Sequence, residues 1–300
     1  MNIEDEVIMI DIKEVVNKIK QEIVNYTGDV NLSEIISNNI NIVFLDVDEF
    51  LKLSGAKSLS EGPGAFHKRD NNTVYMLKKD IYSNNDIHKV IHELLHAYSN
   101  NYEYYGKEGF IVYGYDENNH LISAGGALNE AATEYLTSII NNDGFIGYPD
   151  DMKYIFELFI DVLNLKTDFV NIYFQTENWL TDDMNQKFNS SKNNQLDEFV
   201  LAFDNRLPMY RKQAYDFNNT VSILLDAIND KIINHVDINY ESIVKNMFMI
   251  TRCDFDLNHD NLNKIKYLQE IFKSVYGVEY TQYDTVDTQD FDDGKIILGR

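Results

Sequence analysis

The spacing of apolar residues predicts several short elements in the first part of the chain. Apolar side chains recur at helical intervals from Asp11 to Tyr26, and again, more briefly, from Leu32 to Ile40. The next run, from Asn41 to Val47, is β-branched and aromatic, and it is short enough to be a strand. We expect the chain to become helical again between Val47 and Leu53.

Two further runs predict a β-hairpin. Ala65 to Lys68 and Thr73 to Leu77 flank the polar turn from Arg69 to Asn72, and loops of this length are common in hairpins. An edge strand offers unpaired N–H and C=O groups, so a hairpin of this kind can bind an extended peptide by β-augmentation. The alternative, an ordinary antiparallel pair that ends the sheet, fits the sequence equally well.

Two helices separated by a loop are predicted after the hairpin. The first contains Val90 to Ala97, and one of the polar residues from Asn84 to Asp86 is expected to cap its N-terminus. Residues 102–126 are rich in glycine and tyrosine, which predicts a loop with at most short strands. The segment from Ala127 to Ile140 contains alanines and leucines behind a glycine pair, and this predicts a strong helix.

The remainder of the chain is predicted to be almost wholly helical, and the fold class to be α+β. We expect an N-terminal α/β lobe over residues 1–105, which includes the helix with Val90, and a mainly helical C-terminal lobe over residues 106–300. The acidic segment from Asp284 to Asp293 predicts a tail or a solvated edge. Helical patterns cover residues 152–165, 195–203, 212–236, 240–249 and 261–275.

The composition restricts the possible partners and the cellular location of the protein. A net charge of −23 argues against a nucleic-acid partner or an anionic membrane surface, and no apolar run is long enough to span a bilayer. Cys253 is the only cysteine, which excludes intrachain disulfides, and a structural thiol is its expected role. Because the start of the chain lacks a secretory signal, a cytoplasmic address is the default, with a secreted or delivered protein as the alternative.

Two histidines and a glutamate lie within about one turn of the helix around Val90. His92 and His96 are four residues apart, so their imidazoles project from one helical face and can bind a single Zn²⁺. Glu93 lies beside them, where it can act as a general base toward water at an open coordination position. The alternative is an amphipathic helix with two incidental histidines. Burial of these polar groups among apolar neighbours would be costly without a partner, which favours a metal.

A third ligand is predicted on the helix from Ala127 to Ile140. Zinc held by two histidines needs one more protein ligand and keeps one position open, and Glu130 is the residue that we select. Glu134 follows one turn later on the same face, where its carboxylate can accept the N–H of a ligating imidazole and fix its tautomer. The alternative for both glutamates is a solvated helix face, which the apolar residues around them disfavour.

Together, the motif HELLH at His92–His96 and the motif NEAATE at Asn129–Glu134 resemble the gluzincin zinc metallopeptidases. This group includes thermolysin, the clostridial neurotoxin light chains and the lethal-factor-like peptidases. The thermolysin pattern has aspartate at the position of Glu134, and the long gap before Glu130 is more similar to that of the toxin light chains. The resemblance covers approximately residues 64–136, and no specific family is identified.

The resemblance implies a zincin-like fold, in which a small mixed sheet with an active-site helix is followed by a mainly helical lobe. It also implies a Zn²⁺ cofactor held by His92, His96 and Glu130, with Glu93 as the catalytic base and Glu134 as the carboxylate that supports a ligating histidine. An oxyanion donor is required as well. His120 and Tyr215 are the candidates that we select, and Tyr113, Tyr115 and Arg211 are further candidates.

The expected reaction is hydrolysis of peptide bonds in a peptide or protein substrate. An open cleft with a strand edge favours an endopeptidase. The oligomeric state is left open by the sequence. Two rival hypotheses are a catalytically silent zinc protein that binds a peptide or protein, and a toxin or effector metalloprotease that is delivered into another cell. The remaining histidines, His67, His88, His235 and His259, are expected to be core or surface residues.

Overall fold

The described part of the chain has a mixed α+β fold that is about 64% helical, which confirms the predicted α+β class. The structure, a computed structural model, describes residues 11–36, 40–58, 64–100, 107–115, 121–146, 148–175, 177–205, 217–253 and 256–277. Two compact units are present. The first consists of Met1–Gly109, Thr133–Asp143 and Val170–Glu177, and the second of Phe110–Ala132, Gly144–Phe169 and Asn178–Arg300. The predicted division into lobes at residue 105 stays a prediction.

Helix α1 (Ile12–Thr27) is the first described element of the first unit, as the apolar periodicity predicts. Asp11 caps its N-terminus by accepting a hydrogen bond from the backbone N–H of Lys13. Gly28 ends the helix at a φ of 74°, a left-handed conformation that costs glycine little. The next helix, α2 (Leu32–Ile35), is shorter than the predicted segment, and no side chain caps its first turn.

A three-stranded sheet contains the predicted strand and the predicted hairpin, in the order β1-β3-β2. Strand β1 (Asn41–Leu45) runs parallel to β3 (Thr73–Leu77), and β2 (Ala65–Lys68) pairs with β3 in the antiparallel direction. A short 3-10 turn (Arg69–Asn71) joins the two strands of the hairpin. Strand β2 therefore lies at one edge of the sheet within the described residues. Helix α3 (Val47–Ser54) supplies Phe50 to an apolar cluster with residues of β1 and β3.

Helix α4 (Asn84–Ser99) packs against the sheet and carries the two histidines. Its N-cap is Ser83, so the prediction of a cap from Asn84 to Asp86 was wrong by one residue. Ser83 is preferred because the arrangement closes a capping box: its Oγ accepts from the backbone N–H of Asp86, and Asp86 accepts from the backbone N–H of Ser83. Val90, Ile91, Leu94 and Leu95 are fully buried and hold the helix in the core.

Strand β4 (Lys107–Glu108) lies next to the end of α4, because Glu108 forms an isolated antiparallel bridge with Asn100. Lys107 is buried, and its Nζ donates to the backbone carbonyls of Ile172 and Gln175 at the C-terminal end of helix α7 (Asp168–Phe174). Burial lowers the pKa of Lys107 to about 8. Through these bonds, the charged side chain satisfies carbonyls that the helix end leaves unpaired.

The second unit is mainly helical and has an aromatic core. Strands β5 (Ile111–Tyr115) and β6 (Leu121–Ala124) form an antiparallel pair within the segment predicted to be a loop with short strands. Phe110, Phe159 and Trp179 pack edge to face. The helices of this unit are α6 (Asp150–Val162), α8 (Asp182–Phe188), α9 (Gln195–Asp204), α10 (Phe217–Ile233), α11 (Tyr240–Ile250) and α12 (His259–Tyr276) within the described residues.

Most of the helices of the second half match the predicted segments, but α7 and α8 were not predicted. Each has only seven residues, which is too short to show a clear apolar periodicity. The predicted acidic tail from Asp284 to Asp293 lies outside the described residues. No helix among the described residues has the length and apolar character needed to cross a bilayer.

Helix α5 (Gly126–Asn141) directly follows a position, Gly125, that only glycine can occupy without strain. Gly125 has a φ of 91°, and a Cβ atom there would collide with the backbone carbonyl of Phe110. The buried backbone donors at the start of the helix are capped by Asp204 at the end of α9, which accepts from the N–H groups of Gly125 and Ala127 at 2.8 Å each. Burial raises the pKa of Asp204 to about 6, against the effect of these bonds.

Replacement of Asp204 by alanine is expected to lower the free energy of unfolding by about 1–3 kcal/mol at pH 8, because two buried backbone N–H groups lose their acceptor. Chemical denaturation monitored by circular dichroism measures this change. Asp183→Ala on α8 is the control, since that side chain is exposed and forms only an ion pair with Lys187 within the helix. Equal stability of the two variants would contradict a capping role for Asp204.

Candidate metal site

The spacing on α4 brings the two predicted histidine ligands together. The Nε2 atoms of His92 and His96 are 3.1 Å apart, and both side chains are buried, with 7% of each residue exposed. A tetrahedral Zn²⁺ bound to both nitrogens would hold them about 3.3–3.4 Å apart, given Zn–N distances of about 2.0–2.1 Å. The observed separation is therefore close to the one that a shared metal ion requires.

Glu130 is the third member of this group. One potential ligand atom from each of His92, His96 and Glu130 lies within 4.8 Å of the other two. Glu130 precedes Glu134 by one turn on the continuous helix α5, so both carboxylates project from the same helical face. Among the residues that the structure describes, this is the one group of three His, Cys, Asp or Glu side chains placed to hold a metal ion.

The donor set suits zinc better than calcium or magnesium. Two imidazoles and one carboxylate match the ligands of catalytic zinc sites, which keep a further position open for water or substrate. Calcium and magnesium prefer oxygen ligands, and a mostly nitrogen set disfavours them. The residues present therefore fit Zn²⁺.

Glu134 occupies the supporting position that the sequence predicts. Its Oε2 is 3.0 Å from Nδ1 of His92, so the imidazole can donate from Nδ1 and keep the lone pair of Nε2 for a metal. Glu134 is 2% exposed. Burial alone would raise the pKa of its carboxyl, but the hydrogen bonds and charges of His88 and His92 outweigh burial and lower this pKa.

His96 has a different acidic neighbour, Glu108 of β4, which the sequence did not indicate. Oε1 of Glu108 is 3.9 Å from Nδ1 of His96, within ion-pair range but longer than a hydrogen bond. Glu108 is 4% exposed and also forms an ion pair with Arg69 in the turn of the hairpin. Each of the two histidines thus has a buried carboxylate near its Nδ1 atom. No motif marks Glu108, because its place depends on the strand bridge to Asn100.

Tyr148 is a further residue that the sequence did not single out. Its hydroxyl donates a hydrogen bond of 2.6 Å to Oε2 of Glu130. A phenol in this position orients the carboxylate of Glu130 through Oε2. Tyr148 is one of 20 tyrosines and lies in the connection between α5 and α6, so neither periodicity nor a motif distinguishes it.

Replacement of Tyr148 by phenylalanine is expected to weaken Zn²⁺ binding by about 10-fold or more, because loss of an outer hydrogen-bond partner commonly costs 10–100-fold in metal affinity. Competition with a chromogenic chelator measures the dissociation constant. Tyr75→Phe is the matched control, since it removes a hydroxyl that accepts a hydrogen bond from Asn71 in the hairpin. If Tyr148→Phe has the same dissociation constant for Zn²⁺ as the Tyr75→Phe control, the phenol does not support Glu130.

Glu93 accepts a hydrogen bond from the edge strand. Its Oε2 accepts a hydrogen bond of 2.7 Å from the backbone N–H of His67 on β2. The ring of His67 contacts Oδ1 of Asn72 through Nε2 at 2.8 Å. Burial lowers the pKa of His67 to about 4, and the nearby His96 and Arg69 act in the same direction. The ring is therefore neutral at pH 7.

The predicted oxyanion donors stay predictions. The oxyanion candidates His120, Tyr215 and Arg211 lie outside the described residues. Tyr113 and Tyr115 lie on β5, and the side chain of Tyr115 is likewise outside the description. The histidines expected in the core or at the surface are placed as expected: His88 is buried, His67 is partly buried, and His235 and His259 are exposed.

Comparisons with known proteins identify no relative. No family model matches the chain, and neither a curated protein nor a solved structure is similar to it.

Proposed function

We propose that the protein is a zinc-dependent peptidase of the gluzincin type with a zincin-like first unit, and that it acts as an endopeptidase. The observation that carries this proposal is the approach of the Nε2 atoms of His92 and His96 to 3.1 Å, with Glu130 in the same group. At this separation one imidazole can donate a hydrogen bond to the other, or both can bind one metal ion. A metal ion is the partner that also gives Glu93 and Glu130 a role.

The residues around this group have the properties that peptide hydrolysis requires. A bound Zn²⁺ supplies the Lewis acidity that polarises a carbonyl and makes water a better nucleophile. Glu93 accepts a proton from the attacking water and returns a proton to the nitrogen of the leaving amine. The hydrogen bond from the N–H of His67 fixes one oxygen of Glu93, so the other oxygen is oriented for this transfer.

Strand β2 is suited to hold the substrate. Gly64 accepts from the N–H of Leu77 and so faces β3, and the alternation of a strand turns the backbone groups of Ala65 and His67 to the outer edge. No described strand pairs with this edge. An extended peptide added there would run beside the strand whose His67 N–H holds Glu93. A peptide bound along an open edge can extend in both directions, and this supports endopeptidase action.

The proposal is tested by metal analysis and by hydrolysis of a peptide library. We expect the purified chain to bind Zn²⁺ with a stoichiometry of about one. We further expect it to cleave internal peptide bonds, to lose activity with a chelator and to regain it with added Zn²⁺. His92→Ala is expected to bind no Zn²⁺ at this site, and His259→Ala, on the exposed start of α12, is the matched control. Zinc binding that is equal in both variants would refute the assigned site.

The placement of Glu93 favours catalysis over a silent zinc protein that only binds a peptide. A binding protein has no need of a carboxylate held beside a metal group by a backbone N–H. Wild-type protein that binds Zn²⁺ and peptides but cleaves none of the library would support the silent alternative. A cytoplasmic location and delivery into another cell both stay predictions.

A further inference from the structure

A series of hydrogen bonds continues beyond Glu134 to residues that the proposed function does not use. His88 lies one turn before His92 on α4 and is 3% exposed. Its Nε2 is 2.9 Å from Oε1 of Glu134, and its Nδ1 is 3.0 and 2.9 Å from the two carboxylate oxygens of Asp143. The connected series is therefore His92, Glu134, His88 and Asp143. All four residues belong to the first unit.

The hydrogen-bond partners define the protonation of His88. An ionised carboxylate only accepts hydrogen bonds, so an imidazole whose two nitrogens both contact carboxylates has to donate from both. His88 is then an imidazolium between two anions. Burial alone would lower the pKa of His88, but the hydrogen bonds and charges of Glu134 and Asp143 outweigh burial and raise this pKa.

The same contacts join α4 to the C-terminal part of α5. His88 and His92 lie on one face of α4, while Glu134 lies on α5 and Asp143 follows its last turn. Asn141 donates to Oδ2 of Asp143 at 2.6 Å and so holds this carboxylate in place. The position of Glu134 thus depends on both imidazoles, although only His92 belongs to the metal group.

We propose that His88, anchored by Asp143, is a positioning residue that fixes the Glu134 carboxylate and thereby holds the His92 ring in its metal-binding orientation. This inference rests on the proposed metal site. His88 itself lies outside the metal group in the described part of the chain. Its positive charge offsets the charge of the buried Glu134, so that this carboxylate is stabilised as an acceptor for Nδ1–H of His92.

The experiment measures metal affinity and ligand geometry in the full chain. His88→Gln keeps one donor toward Glu134 but removes the charge and the contact with Asp143. Asp143→Asn removes the negative charge of the anchor, although its amide oxygen can still accept from His88. We expect the dissociation constant for Zn²⁺ to rise by about 10–100-fold in His88→Gln and by a smaller factor in Asp143→Asn. The visible absorption of the Co²⁺-loaded His88→Gln protein is expected to differ from that of wild type, because the coordination geometry changes.

Asp86→Ala is the matched control on the same helix. It removes the capping box and the ion pair with Lys79 and so destabilises α4, without touching Glu134. An equal loss of Zn²⁺ affinity in Asp86→Ala and His88→Gln would overturn the inference, because helix stability would then explain both. If both site variants bind Zn²⁺ within about twofold of wild type, the positioning role is also refuted.

The outcome separates this inference from the proposed function. Wild-type protein that binds no Zn²⁺ would refute both. Wild-type protein that binds Zn²⁺ and cleaves no peptide would refute the peptidase proposal, while a weaker Zn²⁺ affinity in the variants would still support His88 as a positioning residue. If His88→Gln does not fold, the measurement on Asp143→Asn decides, because that side chain is partly exposed and tolerates an isosteric amide.

Discussion

Replacement of Glu93 by glutamine is expected to lower kcat for peptide hydrolysis by about 10²–10⁴-fold, the range that a positioned general acid–base supplies. The zinc content is expected to stay that of wild type. An amide oxygen can still accept the hydrogen bond from the N–H of His67, so the side chain keeps its place. It cannot take a proton from water near neutral pH. The loss therefore falls on kcat, with KM little changed.

Steady-state kinetics on one cleavable peptide, together with metal analysis of each preparation, measure this effect. Glu22→Gln on α1 is the control, since Glu22 is a partly buried helical glutamate that contacts Asn25 and none of the site residues in the described contacts. Equal kcat values for wild type and Glu93→Gln, at equal zinc content, would refute the role of Glu93 as the base.

Replacement of Glu130 by glutamine is expected to weaken Zn²⁺ binding by more than about 100-fold, which exceeds the usual effect of an outer hydrogen-bond partner. The substitution preserves the shape of the side chain, and the hydroxyl of Tyr148 can still donate to its amide oxygen. What is lost is the negative charge on the ligand atom. Peptide hydrolysis is expected to fall with metal occupancy and to recover in part when excess Zn²⁺ is added.

This partial recovery distinguishes Glu130 from Glu93, because added metal cannot replace a missing base. Titration of Zn²⁺ against kcat in both variants provides the comparison. Glu270→Gln, at an exposed position of α12, is the control for the removal of one negative charge from an acidic chain. If Glu130→Gln binds Zn²⁺ as tightly as Glu270→Gln, then Glu130 is not a ligand.

The elements predicted with most success are those whose sequence pattern coincides with their burial. The apolar stripe of α4 is buried on the side that packs against the sheet, and the hairpin follows from two apolar runs and a polar turn. The approach of His92 to His96 follows from helical spacing, because a helix fixes which of its residues share a face. The contact of Glu134 with His92 was predicted from the two motifs together.

The outer partners of the site could not be predicted in the same way. Glu108, Tyr148 and Asp143 lie on a short strand, an interhelical connection and a helix end, and contacts distant in the sequence determine where each side chain lies. Of the outer partners, only His88 could be placed near the site from the sequence, because it lies one turn before His92 on the same helix. The spacing predicts a core or surface histidine, since it does not show whether the next partner is a metal or a carboxylate.

Helix α5, which carries Glu130, is capped by Asp204, a residue that lies far beyond the metal motif in the sequence. A chain that ends after Asn141 would retain His92, His96, Glu130 and Glu134. It would lack the carboxylate that accepts from the N–H groups of Gly125 and Ala127 at the start of the helix carrying Glu130. Truncation guided by the motif alone would therefore leave the ligand set complete in sequence and its supporting helix without its cap.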